Sequence, residues 1–260
     1  MQQYRSVFIS DIHLGTRSCQ AENLLEFLKT FDCNKLYLVG DIIDCWYMQK
    51  NIYWPQTHND VIQKILRKGR KGTDIIYLPG NHDEIIRNFG DHFFGNVTIT
   101  SQTIYIDAQN KPILVIHGDQ FDVVMKNAKW LAHLGSWAYD VAMLANIFVN
   151  RIRRFFNMPY WSLSAWAKYK VKTAVNFIGD YESTLSNYAK SIKVEGVICG
   201  HIHHANITNI NGITYMNCGD WVESCTALVE HLDGTWEVIK WKDTNVSDIN
   251  QQTRTQRIRN

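Results

Sequence analysis

The stretch Tyr37-Leu38-Val39-Gly40-Asp41-Ile42-Ile43-Asp44 joins a strand-like apolar run to two carboxylates. Four further polar clusters lie directly beside apolar runs in the same way. They are Ser10-Asp11-Ile12-His13, Gly80-Asn81-His82-Asp83, His117-Gly118-Asp119 and Gly200-His201-Ile202-His203. The five clusters contain five of the ten histidines in the chain. This combination of Asp, Asn and His predicts a centre for two divalent metal ions that share one carboxylate.

Strand-like and helix-like patterns alternate along the amino-terminal half of the chain. Helices are predicted at Ala21–Phe31 and Gln56–Lys68, where apolar residues recur near the helical period. Strands are predicted at Tyr4–Ile9, Lys35–Val39, Asp74–Leu78 and Ile113–Ile116. Such alternation predicts a layered α/β fold, in which ligands bind at the carboxyl ends of the strands. The polar clusters follow those ends.

The pattern changes after the fourth cluster. A helical insertion is predicted at about 122–191, with helical stretches at Val123–Phe156 and about Ser162–Lys190. Strands are then predicted at Gly196–Cys199, Ile207–Ile210, Ile213–Met216, Thr226–His231 and Trp236–Trp241, with hairpin turns at Asn211-Gly212 and Asp233-Gly234. We expect these strands to form an antiparallel meander. The whole is predicted to be one domain over 1–243, followed by a disordered tail at 244–260.

Composition places the chain among ordinary globular proteins. It has 260 residues, 45% of them hydrophobic, and a formal net charge of +2. The near-neutral charge argues against a nucleic acid partner. No signal peptide or membrane-spanning run is apparent, and the six cysteines show no CxxC spacing. These features predict a cytoplasmic protein with reduced thiols.

Spacing within the clusters brings pairs of metal ligands together. In an extended segment, residues i and i+2 point to the same side, so Asp11 and His13 converge, as do His201 and His203. Asp41 follows a glycine at a strand end, and its two carboxylate oxygens allow it to bridge two ions. The predicted metal ligands are Asp11, His13, Asp41, Asn81, His117, His201 and His203.

Two residues beside these ligands are predicted to act in catalysis. Two divalent ions lower the pKa of a shared water and neutralise charge in an in-line displacement at phosphorus. His82, next to Asn81, would stabilise or protonate the leaving oxygen, and Asp44 would orient His82. The ligand set contains no thiolate and suits Mn²⁺, with Fe or Zn²⁺ as alternatives.

In chain order, the motifs D-x-H, G-D-x-x-D, G-N-H-D, H-G-D and G-H-x-H resemble those of the calcineurin-like metallophosphoesterase superfamily. The resemblance spans residues 7 to about 220. It implies a four-layer α/β/β/α sandwich of two sheets flanked by helices. It also implies two ligand sets, one of Asp11, His13, Asp41 and His203 and the other of Asp41, Asn81, His117 and His201.

A narrower resemblance points to the bacterial UDP-2,3-diacylglucosamine diphosphatases of lipid A synthesis and their close paralogues. It rests on the stretches Tyr37–Asp44, Tyr53–Gln56, Ala128–Leu131, Pro159–Ser164 and Gly219–Thr226. Members of that family cleave a pyrophosphate to give UMP and an acylated sugar phosphate, and they carry a helical lid after the H-G-D motif. The best-known branch has arginine in G-N-R-D, where this chain has His82, so the chain looks more like the paralogous branch.

The predicted insertion is rich in aromatic and basic side chains. Its aromatic faces suit acyl chains or a bilayer interface, and its cations suit phosphate. Simple packing on the sandwich and a solvated basic face remain alternatives. For Asp119 and Asp122, the alternatives are contact with a sugar, orientation of His117 and a place in a surface turn. The predicted substrate contacts are Asp119, Asp122, Arg151, Arg154, Lys168 and Lys172.

Three functions remain open. The first is a dinuclear diphosphatase that hydrolyses UDP-2,3-diacylglucosamine or a related nucleotide-sugar lipid, in the cytoplasm and at the inner-membrane surface. The second is a phosphodiesterase, nuclease or phosphatase on the same metal site. The third is an interaction scaffold without metals, which the complete set of ligand residues disfavours.

Overall fold

The computed structural model describes residues 1–89, 93–94, 96–123 and 178–241. Twelve strands lie within these ranges. They are β1 (Gln2–Ile9), β2 (Phe31–Val39), β3 (Asp74–Leu78), β4 (Phe93–Phe94), β5 (Val97–Ile99), β6 (Gln102–Ile106), β7 (Pro112–Ile116), β8 (Gly196–Cys199), β9 (Asn206–Ile210), β10 (Ile213–Asn217), β11 (Thr226–Glu230) and β12 (Trp236–Lys240).

The described helices comprise three longer segments and several single turns. They are α1 (Ala21–Thr30), α2 (Cys45–Met48), α3 (Gln56–Arg70) and α4 over residues 178–191. Two 3₁₀ helices cover Glu84–Phe89 and Asp119–Val123. None of the helices in these described ranges has both the length and the apolar character needed to cross a bilayer.

The strands form two sheets. The larger has the order β12-β11-β1-β2-β3-β5-β4, and the smaller has the order β6-β7-β8-β10-β9. The strands β1, β2 and β3 run parallel, as do β7, β8 and β10. Parallel strands bring their carboxyl ends to one edge of a sheet, and the polar clusters follow those ends.

Two hydrophobic cores hold these layers together. On one face of the larger sheet, α1 contributes Leu24, Phe27 and Leu28, whose spacing gives a helix one apolar face. The Phe27 ring lies 5.3 Å from the ring of the fully buried Trp221. The second core contains buried residues from both sheets, including Phe8 of β1 and Val115 of β7. The predicted fold class, a mixed α/β fold with two sheets flanked by helices, is confirmed.

The predicted antiparallel meander is wrong. The Asn211-Gly212 turn does join β9 to β10, and β11 and β12 do form an antiparallel pair. However, β10 pairs with β8 in parallel, and β11 pairs with β1 in the other sheet. All five residues of β11 are buried. A fully buried strand fits the interior of the larger sheet, where β11 lies between β12 and β1. Alternation of apolar and polar residues does not show which strand it pairs with.

Some predictions missed strands or fall outside the described residues. No sequence pattern predicts β4, β5 or β6, because these segments are short or half-exposed. The second predicted strand begins at Lys35, whereas β2 begins at Phe31, directly after α1. Most of the proposed insertion (124–177) and the proposed tail (244–260) lie outside the described residues.

Candidate metal centre

Most of the predicted ligands lie on left-handed backbone at the ends of strands. Such conformations are uncommon for residues with a Cβ and cluster where a site needs them. Backbone hydrogen bonds also join two of these turns. The Asp11 amide donates to the Gly40 carbonyl at 3.0 Å, and the His13 amide donates to the Asp41 carbonyl at 2.9 Å. The φ angles are 50° for Asp11, 53° for His13, 52° for Asp41, 70° for His201 and 54° for His203.

One group of ligand atoms combines Asp11, His13 and His203. One ligand atom from each residue lies within 4.8 Å of the others. The His203 Nε2 atom is 3.2 Å from Asp11 Oδ1, while Asp11 Oδ2 accepts a hydrogen bond from the His201 amide at 2.9 Å. The carboxylate of Asp11 is therefore oriented by the backbone, with one oxygen directed towards the candidate site.

A second group combines Asp41, His117 and His201, again within 4.8 Å. The His117 Nε2 atom is 3.4 Å from Asp41 Oδ2. On the other side of the ring, His117 Nδ1 lies 2.9 Å from the Val39 carbonyl. Because a carbonyl only accepts, Nδ1 donates to it, and Nε2 is the ring nitrogen that faces Asp41 and would bind an ion.

Asp41 lies between the two groups, and one of its carboxylate oxygens faces both. Its Oδ2 atom is 3.4 Å from His117 Nε2 and 3.9 Å from His13 Nε2. Its Oδ1 atom accepts a hydrogen bond from the His82 amide at 2.8 Å. The sequence predicts a bridge through both oxygens of Asp41. The structure directs only Oδ2 to both groups, since the backbone turn engages Oδ1.

Unpaired polar atoms test whether these residues fit metal ions. His13 Nε2, Asn81 Oδ1 and His117 Nε2 are buried, and none has a hydrogen-bond partner within the described part of the chain. Buried polar atoms are normally paired, so these unpaired atoms need an explanation. Imidazole nitrogens with carboxylate and amide oxygens fit a divalent ion of the Mn²⁺, Fe or Zn²⁺ type. The residues therefore fit the group that the sequence implies.

The electrostatics of the site also favour a bound cation. Burial alone would raise the pKa of Asp41, but the adjacent His117 outweighs this and lowers it. Burial likewise opposes a proton on His117, yet Asp41 raises the pKa of that imidazole to about 10. Without metal, protons on histidine compensate the buried carboxylates. A divalent ion would displace these protons and provide the same compensation.

His82 lies beside the first group, between two rings and a carboxylate. Its Nδ1 is 2.9 Å from Asp44 Oδ2, the same oxygen that lies 3.0 Å from His13 Nδ1. Its ring lies 4.7 Å from the ring of Trp46 and 4.6 Å from that of His13. Burial lowers the pKa of His82, but Asp44 and Asp41 outweigh it and raise the pKa. The structure thus places Asp44 beside His82.

A third grouping leaves His82 with two possible roles. Ligand atoms of His13, Asp41 and His82 also lie within 4.8 Å of one another. His82 can therefore reach either an ion or the leaving oxygen. The orientation of the Asp44 side chain is fixed, because its Oδ1 accepts a hydrogen bond from the Tyr47 amide at 2.7 Å and caps α2.

Sequence reasoning assigned no role to Asp83, which organises the ligand turns. This carboxylate is fully buried. It accepts hydrogen bonds from the amides of Gly80 at 2.6 Å and Ile42 at 2.8 Å, and from the Tyr77 hydroxyl at 2.5 Å. One side chain thus joins the turn that carries Asn81 to the turn that carries Asp41. The only signal in the sequence was an acidic residue inside the third cluster.

Asn217, which sequence reasoning also missed, supports the last ligand turn. It is buried at the end of β10. Its amide nitrogen donates to the Gly200 carbonyl at 2.8 Å, and its oxygen accepts from the Gly219 amide at 2.9 Å. It therefore fixes the backbone that precedes His201. No local pattern distinguishes it from other polar residues at strand ends.

The predicted substrate contacts are less settled than the ligands. Asp119 pairs with Arg87, which the sequence analysis did not consider, at 2.7 Å. The Nδ1 atom of His117 already bonds to the Val39 carbonyl, so Asp119 does not orient the ring through that atom. Asp122 lies in a 3₁₀ helix. The remaining four lie outside the described residues: Arg151, Arg154, Lys168 and Lys172.

The chain is similar in sequence to curated proteins that share one name. The chain is 28% identical over 142 residues to the UDP-2,3-diacylglucosamine hydrolase of Cellvibrio japonicus (strain Ueda107), covering 50% of this chain and 58% of the relative. It is 25% identical over 236 residues to the protein of the same name from Shewanella sp. (strain MR-7), covering 88% and 95%. The chain spans about half the length of three of the relatives that it matches.

A solved structure and a family profile complete the comparison. An archaeal phosphodiesterase structure aligns with a TM-score of 0.44 and 12% identity over 90% of this chain and 98% of that one. The profile described as calcineurin-like phosphoesterase matches residues 4–205. The matched region is more than half of the sequence and contains every candidate ligand. The chain belongs to the calcineurin-like phosphoesterase family.

Proposed function

We propose that this protein is a dinuclear metal-dependent hydrolase of phosphoester or pyrophosphate bonds. The observation that carries the proposal is the position of Asp41 Oδ2 between two groups of ligand atoms. Family membership supports the same chemistry. When bound, the ions would polarise a phosphoryl group and supply a nucleophilic water at neutral pH. The donor set suits Mn²⁺, Fe or Zn²⁺, and we propose Mn²⁺ as the bound ion.

The residues of the chain divide the remaining work. Asp11, His13 and His203 would bind one ion, Asn81, His117 and His201 would bind the other, and Asp41 would bind both. The exposed side of His82 would contact the leaving oxygen and donate a proton to it. Asp44, 2.9 Å from His82 Nδ1, would stabilise the protonated ring in that orientation.

We propose UDP-2,3-diacylglucosamine, or a related nucleotide-sugar lipid, as the substrate. The names of the relatives and the stretches shared with that family support this choice. The products would be UMP and an acylated sugar phosphate. The protein would act in the cytoplasm at the inner-membrane surface, where the proposed insertion would contact the acyl chains.

A substrate panel tests this function directly. The protein loaded with Mn²⁺ is expected to release UMP from UDP-2,3-diacylglucosamine, and Asp41→Ala should abolish both turnover and metal binding. The matched control is Asp233→Ala, at an exposed hairpin, which should behave as the wild type. Hydrolysis of DNA or RNA without any release of UMP would favour a nuclease. Absence of bindable divalent metal would reject an enzyme of this class.

The role of His82 has a separate test. His82→Ala is expected to lower kcat by about 10²- to 10⁴-fold, the usual contribution of a positioned proton donor. Metal content, measured by elemental analysis, should stay at two ions per chain. Loss of one ion would instead assign His82 to the third ligand grouping.

A further inference from the structure

Next to His82 lies a cavity that the proposed mechanism does not use. Its volume is about 460 Å³, and it is lined by Cys45, Trp46, Gln49, His82, Glu84, Ile85, Arg87 and Asn88. Within this lining, Arg87 is the only residue with a permanent positive charge. A cavity that is lined by both the proposed proton donor, His82, and a guanidinium is suited to a phosphate group.

The environment of Arg87 fixes its guanidinium in one orientation. Its Nη2 atom donates to both oxygens of Asp119, at 2.8 Å and 2.7 Å, and also to the Pro79 carbonyl at 3.2 Å. Asp119 follows the ligand His117 by two residues, and Pro79 precedes Asn81 by two. The guanidinium is therefore attached to the two turns that carry candidate ligands.

Part of this guanidinium remains available. An arginine has five N–H donors, and Nε and Nη2 account for the bonds to Asp119 and Pro79. Among the residues that the structure describes, Nη1 has no hydrogen-bond partner, and the side chain is 35% exposed. A donor pair that is already oriented loses little entropy when it binds an anion.

His82 and Arg87 line the same cavity. We propose that Arg87 binds a phosphate oxygen of the substrate and so determines specificity. Asp119 orients Arg87 and does not contact the substrate.

This inference rests on the proposed function, and kinetics of the holoenzyme test it. The substrates are UDP-2,3-diacylglucosamine and the diester bis(p-nitrophenyl) phosphate, with inorganic phosphate as inhibitor. Arg87→Met is expected to raise KM and the inhibition constant of phosphate about tenfold or more, the typical effect of losing a hydrogen bond to a charged group. Arg70→Met, at an exposed position of α3, is the matched control and should change neither value.

A purely structural role for Arg87 would give a different result. In that case metal content and the thermal midpoint would fall while KM of the remaining active protein stayed within twofold of the wild type, which overturns the proposal. If Arg87→Met does not fold, Arg87→Gln replaces it, because glutamine still donates to Asp119 but has no charge. An unchanged KM in Arg87→Gln also overturns the proposal.

Failure of the proposed function can be distinguished from failure of this inference. If the wild type hydrolyses the diester but releases no UMP, the proposed substrate is wrong and the comparison of Arg87 variants proceeds on the diester. If it hydrolyses neither, calorimetric binding of inorganic phosphate to the Mn²⁺-loaded wild type and Arg87→Met still tests the contact. Equal phosphate affinities would then overturn it.

Discussion

At the scale of single residues, the candidate site depends on side chains that never reach the metal position. Asp83 is the clearest case, because its carboxylate accepts from the backbone of two ligand turns and from Tyr77. Gly80 shows the same crowding: a Cβ there would lie 2.3 Å from Asp41 Oδ1. Few substitutions are therefore tolerated even at the positions of these turns that do not bind metal.

Asp83→Asn is expected to reduce stability even without metal. The amide group keeps the size of the carboxylate but replaces one acceptor with a donor, which then faces buried N–H and O–H donors. We expect the free energy of unfolding to fall by about 2 kcal/mol or more. Urea unfolding in the presence of a chelator measures this. Asp233→Asn, exposed in a hairpin, should stay within about 0.5 kcal/mol, and an equal loss there would contradict the argument.

At the scale of elements, helices outside the site fix its turns. The helix α3 contributes His58, which is buried, and its Nδ1 atom accepts a hydrogen bond from the Gly15 amide at 3.1 Å. The rings of Tyr53 and Trp54 contact it edge-on, at 5.8 Å and 5.4 Å. Only a neutral imidazole can accept at Nδ1, so this contact depends on pH.

The pH dependence of this contact has a definite sign. Burial lowers the pKa of His58 below its ordinary value of 6.5, so the unfolded chain binds more protons than the native chain just below that pH. The stability that neutral His58 contributes is therefore lost as the pH falls from 7 through 6.5 and below. His58→Asn keeps an acceptor for Gly15 and does not titrate. The stability gap between wild type and His58→Asn should narrow between pH 7.5 and pH 5.5, whereas a constant gap would contradict this.

At the scale of the whole molecule, a polar network joins the two sheets. Tyr105 of β6 in the smaller sheet donates to Glu230 of β11 in the larger sheet. Its hydroxyl also accepts from Ser6 of β1 at 2.8 Å, and Arg5 lies 3.3 Å from Glu230. The buried Glu230 is thus compensated by partners from both sheets, and the sandwich has a polar link within its apolar core.

Tyr105→Phe should destabilise the sandwich without affecting catalysis. Removing the hydroxyl deprives Glu230 and Ser6 of a hydrogen-bond partner each, which should lower the free energy of unfolding by about 2 kcal/mol. Denaturant unfolding measures the loss, and kcat with the diester should equal that of the wild type. Tyr53→Phe, which keeps the ring that contacts Arg17, is the control and should be near neutral. A drop in kcat at unchanged stability would place Tyr105 in the catalytic site instead.

Metal removal should also act on the whole fold. Ions that bind only the native chain stabilise it by about 2.7 kcal/mol when free metal exceeds the dissociation constant a hundredfold. A chelator is therefore expected to lower the thermal midpoint of the wild type. Asp41→Ala should show little further change, since it removes the shared ligand. An equal chelator effect in both proteins would mean that metal binds elsewhere.

Part of this architecture was predictable and part was not. The parallel strands β1, β2 and β3 and their clusters followed from apolar runs that end in polar residues, a pattern set by local burial. The place of β11 beside β1 did not, because strand pairing depends on contacts between residues more than 200 positions apart. The same holds for Asp83 and Asn217, whose roles depend on the turns that meet around them.

The sequence by itself determined the family and the seven candidate ligands, because the ligand types and their spacing are local properties that strand ends preserve. Only the tertiary structure decided how these residues are arranged. It directed one oxygen of Asp41 to both ligand groups, and it brought Arg87 into the cavity beside His82. The physical reason is that hydrogen bonds between distant turns fix side-chain orientation, and no run of neighbouring residues contains that information.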